Sequence, residues 1–268
     1  DPAPKAVRGF VPARNDEERY LMRHIEDLAR TASSRGIARY SGFLSDREQQ
    51  LAQAALNRTD MPEDEIRFDG GWPGAERKLL CLEPVDSYPA SPLCCVRLQC
   101  RALPGAQLPV HKDYLGSLMG LELRREALGD IVLPEDQLGV AYVFALEPAA
   151  ELICQELRQA GHTDLTAEMQ PLETLPAFPQ AERPRQTATV SSLRLDAVLA
   201  AMLRCSRGMA AELVTAGRVE INHLPAESVH APVYEDDVFT VRGKGRFQLT
   251  ALPGKSKKDR LIIEYFQY

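Results

Sequence analysis

At 268 residues, 44% hydrophobic and 26% charged, the chain has the make-up of an ordinary globular protein of two or three small domains. No apolar run approaches the roughly 20 residues that cross a bilayer, and Pro2 and Pro4 stand where a signal peptide has its apolar core, so a soluble, cytoplasmic protein is expected. The net charge of −6 argues against a nucleic-acid binder until its distribution is counted: residues 190–268 hold 11 Lys and Arg against 9 Asp and Glu, and the remainder 21 against 29.

Asn15-Asp16-Glu17-Glu18 has the pattern of a capping box. Leu21, Ile25, Leu28 and Ala32 then recur at helical spacing, which predicts a helix over 16–33. Ser45-Asp46-Arg47-Glu48 opens a second helix in the same way. Strands are expected at 65–69 and 77–83, on either side of the turn-forming Gly70-Gly71-Trp72-Pro73-Gly74. Residues 1–90 thus read as a small α/β domain.

From 91 to 172 the expected order is a strand (93–103), a helix (111–121), two strands (129–133 and 140–146), a helix (148–160) and a last strand (163–170). Pro148 suits the start of the second helix and Gly161 its end. This βαββαβ order is ferredoxin-like. Tyr142 and Phe144 share one strand face, where burial in the sandwich and stacking on bases are both open. Pro171, Pro176, Pro179 and Pro184 punctuate a linker, 173–189, that ends in strand-like residues.

The six cysteines, Cys81, Cys94, Cys95, Cys100, Cys154 and Cys205, include no C-x-x-C pair and read as buried, reduced thiols. No metal and no cofactor is expected.

In the C-terminal module, 190–268, Leu195, Val198, Leu199 and Met202 mark one buried helical face. Ser206 caps a second helix with Ala210, Leu213 and Val214 inward, and Gly217 ends it. Arg218-Val219-Glu220-Ile221-Asn222 alternates as a strand, and another, Val238–Val241, runs into Arg242-Gly243-Lys244-Gly245-Arg246. Arginine's planar fork suits phosphate, and glycine lets a nucleic-acid backbone come close.

These blocks, Arg194-Leu195-Asp196, Ser206-Arg207, Gly217 to Asn222 and Val241 to Phe247, resemble the S4 RNA-binding domain. The resemblance implies that the helical surface reads RNA shape and phosphates, and it assigns RNA contacts to Arg194, Ser206, Arg207, Arg218, Asn222, Arg242, Lys244 and Arg246. Taken singly, any of these arginines reads equally well as a solvated or internally paired residue; the set points to RNA. Asn222-His223 departs from the usual Asn-Gly turn, and Asp236-Asp237 from Gly-Asp.

His111-Lys112-Asp113-Tyr114-Leu115-Gly116, Arg124-Arg125 and Gly129-Asp130-Ile131, followed by the S4 blocks, resemble the YlmH family of bacterial and plastid proteins. The fold class expected is therefore α+β: a small N-terminal α/β domain, a ferredoxin-like middle domain and a C-terminal S4 domain. The resemblance implies a partner in structured rRNA or tRNA on the large ribosomal subunit, a role in rescue of stalled translation, and a link to cell division. Lys112, Arg124 and Arg125 are candidate RNA contacts of the middle domain. His111 and Asp113 share no helix face and have no nucleophile or metal spacing beside them, so no catalytic residue is assigned.

Two rivals stand against a non-catalytic RNA binder. One is an RNA-modifying enzyme, of pseudouridine synthase or methyltransferase type, that uses the module for targeting. Such synthases carry the module N-terminally, and the nearest glycine pair here, Gly243-x-Gly245, lies in a basic strand and opens no helix. The other is a division-associated interaction protein, against which the full set of basic positions counts. No membrane partner and no DNA specificity are expected.

Overall fold

The computed structural model describes residues 13, 15–101, 103–179, 183–222 and 224–268, so the opening prolines and His223 lie outside it. Its contacts divide the chain into two compact units, one ending at residue 180 and the other C-terminal to it.

In the first unit, α1 (Asp16–Arg35) is capped by Asn15, which accepts from the Glu18 amide, and α2 (Asp46–Leu56) by the reciprocal Ser45–Glu48 box. Between them lies a strand the sequence did not announce, β1 (Arg39–Leu44). It joins β2 (Ile66–Asp69) and β3 (Lys78–Leu82) in an antiparallel sheet of order β1-β3-β2. Strand β3 is buried on both faces. Its Leu80 and Leu82 pack with Ile25, Leu51 and Ala55 of the helices, whereas Leu79 and Cys81 face a second sheet.

That second sheet comes from β4 (Leu93–Cys100), α3 (His111–Met119), β5 (Leu128–Val132), β6 (Val140–Leu146), α4 (Glu147–Glu156), β7 (Gln159–Ala160) and β8 (Thr163–Gln170). Its order, β5-β6-β4-β8-β7 with all pairs antiparallel, is the split βαβ arrangement. One face is covered by α3 and α4 through Tyr114, Leu118, Ala150 and Ile153. The other presents Cys95, Tyr142 and Phe144 to Phe43, Leu79 and Cys81 of the first sheet. Tyr142 and Phe144 are therefore core residues and not a base-stacking surface.

Helix α4 stops at Glu156, short of Gly161, because Leu157 turns extended and buries its side chain. Gly161 instead takes a φ of 58° in the turn between β7 and β8. Part of the stretch expected as linker is anchored: Phe178 packs against Trp72 and Tyr142, with ring centroids 5.6 and 4.9 Å apart.

The Gly129-Asp130-Ile131 motif clasps the two sheets. A Cβ on Gly129 would lie 2.5 Å from the Phe43 ring. The Asp130 carboxylate accepts from Trp72 Nε1 at 3.1 Å and from the Glu76 and Arg77 amides at 2.8 and 3.1 Å. Arg77 in turn donates to the carbonyls of Leu128 and Arg125.

The second unit holds β9 (Gln186–Val190), α5 (Leu195–Leu203), α6 (Arg207–Thr215), β10 (Val219–Ile221), β11 (Leu224–Pro225), β12 (Val238–Val241), β13 (Gly245–Lys255) and β14 (Leu261–Gln267). Its sheet has the order β11-β10-β12-β13-β14-β9. Both helices lie on one face, over Val219, Ile221, Phe239, Val241, Phe247, Leu249, Ile263 and Tyr265. Each such aliphatic or aromatic side chain contributes roughly 1.5–3 kcal/mol on full burial. Strand β9, which the sequence placed at the end of the linker, pairs with β14 from Val190↔Leu261 to Gln186↔Tyr265.

Candidate nucleic-acid interface

The start of α5 is pinned by the 229–233 segment. The amides of Leu195 and Asp196 donate to the carbonyls of Ala231 and Val229, and the Val233 amide donates to Leu193. Arg194 is thereby held in the non-helical N-cap position beside Asp196. The Asp196 carboxylate, its side chain 8% exposed, accepts from Arg194 at 3.3 and 3.1 Å, from Arg207 at 2.8 Å and from the Ala197 amide at 2.9 Å. Burial pushes this carboxyl up, but the Arg207 and Arg194 bonds outweigh it and hold it below the ordinary carboxylate range. The two arginine side chains stay 41% and 49% exposed. A buried anion thus fixes two planar donors from beneath and leaves their outer edges to solvent. His230 Nδ1 also contacts Arg194 Nη2. The Ser206 hydroxyl is committed to the helix, accepting from the Met209 amide at 3.1 Å.

A second cationic group forms where β10, β12 and β13 meet. The Arg242 amide donates to the Arg218 carbonyl at 2.9 Å, and Lys244 occupies the tight turn between Gly243 and Gly245, whose φ values are 80° and 113°. Arg218, Arg242 and Lys244 are exposed and make no ion pair among the described residues. Two sequence candidates stand apart. Asn222, at φ 49°, spends its side-chain amide on the turn: Nδ2 donates to Asp237, and Oδ1 accepts from the Val238 amide. Arg246 lies on the face opposite the helices, because its neighbour Phe247 points into the core, and its guanidinium sits 4.0 Å from the Tyr268 ring centroid.

In the first unit, several residues of the α3 motif have structural work. Asp113 accepts from the Val110 amide at 2.9 Å, Tyr114 is buried with its hydroxyl 3.2 Å from Cys100 Sγ, and Ser117 accepts from the Gly161 amide. His111, Lys112 and Gly116 are left at the surface. Arg124 is exposed, 3.7 Å from Glu126, a pair of little energetic weight. Arg125 donates to the Leu128 carbonyl at 3.0 Å and accepts from Arg77, so it belongs to the clasp. At the β13–β14 hairpin Lys255 pairs with Asp259, and Arg260 donates to the Thr189 carbonyl.

Sequence reasoning missed one cluster, the stack of Arg183, Arg246, Phe266 and Tyr268. Its signal is the alternation of β14, where Ile263 and Tyr265 face inward and Phe266, next in the strand, falls on the other face, two residues before Tyr268. Among the described residues no group of three or more His, Cys, Asp and Glu could hold a metal ion, and no helix is long and apolar enough to cross a membrane.

Two helices over a small sheet, with paired arginines at the helix junction, define an S4-type RNA-binding module, and the S4 domain model matches residues 193–239. Over 255 residues the chain is 33% identical to the Ribosome-associated protein quality control protein P2 of Bacillus subtilis (strain 168), covering 94% of this chain and 95% of that one. The chain belongs to the YlmH family. Among solved structures it is similar to the Cell division protein ylmH from Streptococcus pneumoniae, with a TM-score of 0.47 and 12% identity over 62% of this chain and 99% of that one.

Proposed function

We propose that this chain is a non-catalytic factor that grips structured rRNA, and tRNA beside it, on the large ribosomal subunit, and acts in the cytoplasm in quality control of stalled translation. The observation that carries this reading is the Asp196 anchor, which holds Arg194 and Arg207 as half-exposed, preoriented donors. Ordering two long side chains before RNA arrives removes an entropic cost that binding would otherwise bear. Arg218, Arg242 and Lys244 add phosphate contacts, and Lys112 offers one from the middle domain. Asn222 shapes its turn and Arg125 its clasp, so neither needs to touch RNA. The ribosomal target is supported by the name of the Bacillus subtilis relative.

Filter binding to large-subunit rRNA fragments, with cosedimentation on ribosomal subunits, tests this. Arg194→Ala/Arg207→Ala and, separately, Arg218→Ala/Arg242→Ala/Lys244→Ala are each expected to weaken binding at least about tenfold, the scale of one or two lost charge-assisted contacts. The second variant leaves the Asp196 anchor intact. Undiminished affinity in both variants would sink the proposal.

A further inference from the structure

The sheet face opposite α5 and α6 carries a chemistry that the helix junction does not use. Phe247, Leu249, Ile263 and Tyr265 point into the core. Their neighbours Arg246, Gln248 and Phe266 therefore point the other way, set in rows by the registers Thr240↔Arg246 and Gln248↔Phe266. Tyr268 extends the row: its amide donates to the Arg246 carbonyl at 2.9 Å and its hydroxyl to Gln248 Oε1 at 3.0 Å. The Phe266 and Tyr268 rings lie 5.0 Å apart, tilted by 58°. Arg246 and Arg183 place their guanidinium carbons 4.0 and 4.3 Å from the Tyr268 centroid, and Arg183 lies 5.5 Å from that of Phe266. Tyr268 remains 39% exposed.

We infer that this face binds an unpaired nucleotide of the target RNA, its base stacked on the Phe266–Tyr268 and guanidinium planes and its phosphate met by Arg183 and Arg246. The inference rests on the RNA-binding reading and adds a site for single-stranded RNA distinct from the helix junction. Charge and shape select the occupant. A base stacks on an aromatic ring and on a guanidinium plane alike, and it brings its own anion. Aromatic and arginine side chains serve protein interfaces as well, and it is the further cations around this face that favour a polyanion. The surroundings agree: Arg242 and Lys244 are exposed in the adjoining turn, and Lys257 and Lys258 at the hairpin tip. Glu264, on the same face, is taken up by Arg185 and the Thr250 hydroxyl.

Two labelled RNAs test this with the full chain, a blunt hairpin and the same hairpin with a short unpaired extension. The extension is expected to raise affinity about five- to tenfold, the lower range for stacking of one base on an aromatic side chain. In Phe266→Leu/Tyr268→Leu, which keeps apolar bulk but no ring, the ratio of the two affinities falls to near one. Photocrosslinking of a 4-thiouridine in the extension to the wild-type chain is expected at Phe266 or Tyr268 and does not depend on how the variant folds. A wild-type ratio of one, a ratio preserved in the variant, or crosslinks only elsewhere overturns the inference and leaves hairpin binding standing. Failure to bind either RNA overturns the proposed function as well.

Discussion

Arg207, the first residue of α6, donates at 2.8 Å to Asp196 in the first turn of α5, so the cation that α6 offers to solvent is anchored in the neighbouring helix. Because Arg194 shares that carboxylate, Asp196→Asn unsettles both donors at once. With the two arginines half exposed, the expected loss of stability is about 1–2 kcal/mol, near the lower range for hydrogen bonds to charged groups. Urea unfolding followed by circular dichroism measures it.

The same carboxyl makes the C-terminal unit sensitive to acid. Its folded value is depressed, so its contribution is fully present above the unfolded aspartate value of about 3.9 and disappears as pH falls through the folded one. The thermal midpoint of the wild type is expected to drop more steeply than that of Asp196→Asn below about pH 4. Parallel acid titrations of the two proteins would disprove the anchoring role.

Salt dependence counts the phosphates engaged. Replacing Arg218, Arg242 and Lys244 together with Ala is expected to lower the slope of log affinity against log salt by about 2, from roughly 0.7–0.9 per phosphate. An unchanged slope would remove that turn from the interface.

Gly129→Ala forces a methyl group to within 2.5 Å of the Phe43 ring. Overpacking of this kind costs about 1–3 kcal/mol. Phe43→Leu, destabilising alone, is expected to relieve part of the Gly129→Ala penalty in the double variant, a coupling that chemical denaturation of the four proteins reads directly.

Asp236 holds a φ of 70° at the position where the S4 pattern has glycine. Asp236→Gly is expected to stabilise the C-terminal unit by about 0.5–1 kcal/mol, because relief from the left-handed conformation exceeds the added freedom of the unfolded chain. A lower unfolding midpoint would show that the aspartate side chain earns its place.

Burial pushes the Cys81 and Cys95 thiols up to about 12. Both are expected to resist alkylation in the native protein at pH 8 and to react on unfolding, as mass spectrometry of labelled peptides reports.

The helix caps at Asn15, Ser45 and Ser206 are legible in the sequence because a cap is decided within four residues. Strand β1 is not, for two reasons. Its register shifts between Tyr40 and Phe43, which breaks the alternation, and its polar Ser41 is buried to accept from the Leu80 amide. The basic residues of the C-terminal unit are legible in the sequence as a set, but how the fold divides them is not. Whether Arg246 joins Arg194 depends on Phe247 entering the core, and Asp196 looks like any surface acid until the 229–233 segment covers it. The anchoring of Phe178 against Trp72 and Tyr142 is likewise a matter of distant partners, which no local pattern records.

Strand β9 opens the C-terminal unit and pairs with β14, its last strand, so that Gln186 meets Tyr265 across 79 positions of chain. Helices α5 and α6, nine residues each and marginal alone, rest on a sheet that cannot close until β14 has been synthesised. During translation the arginine pair therefore emerges before the scaffold that steadies it is complete. The unit's two ends must meet before its sheet is whole, so the Asp196 clamp gains its full support only once the last strand is in place.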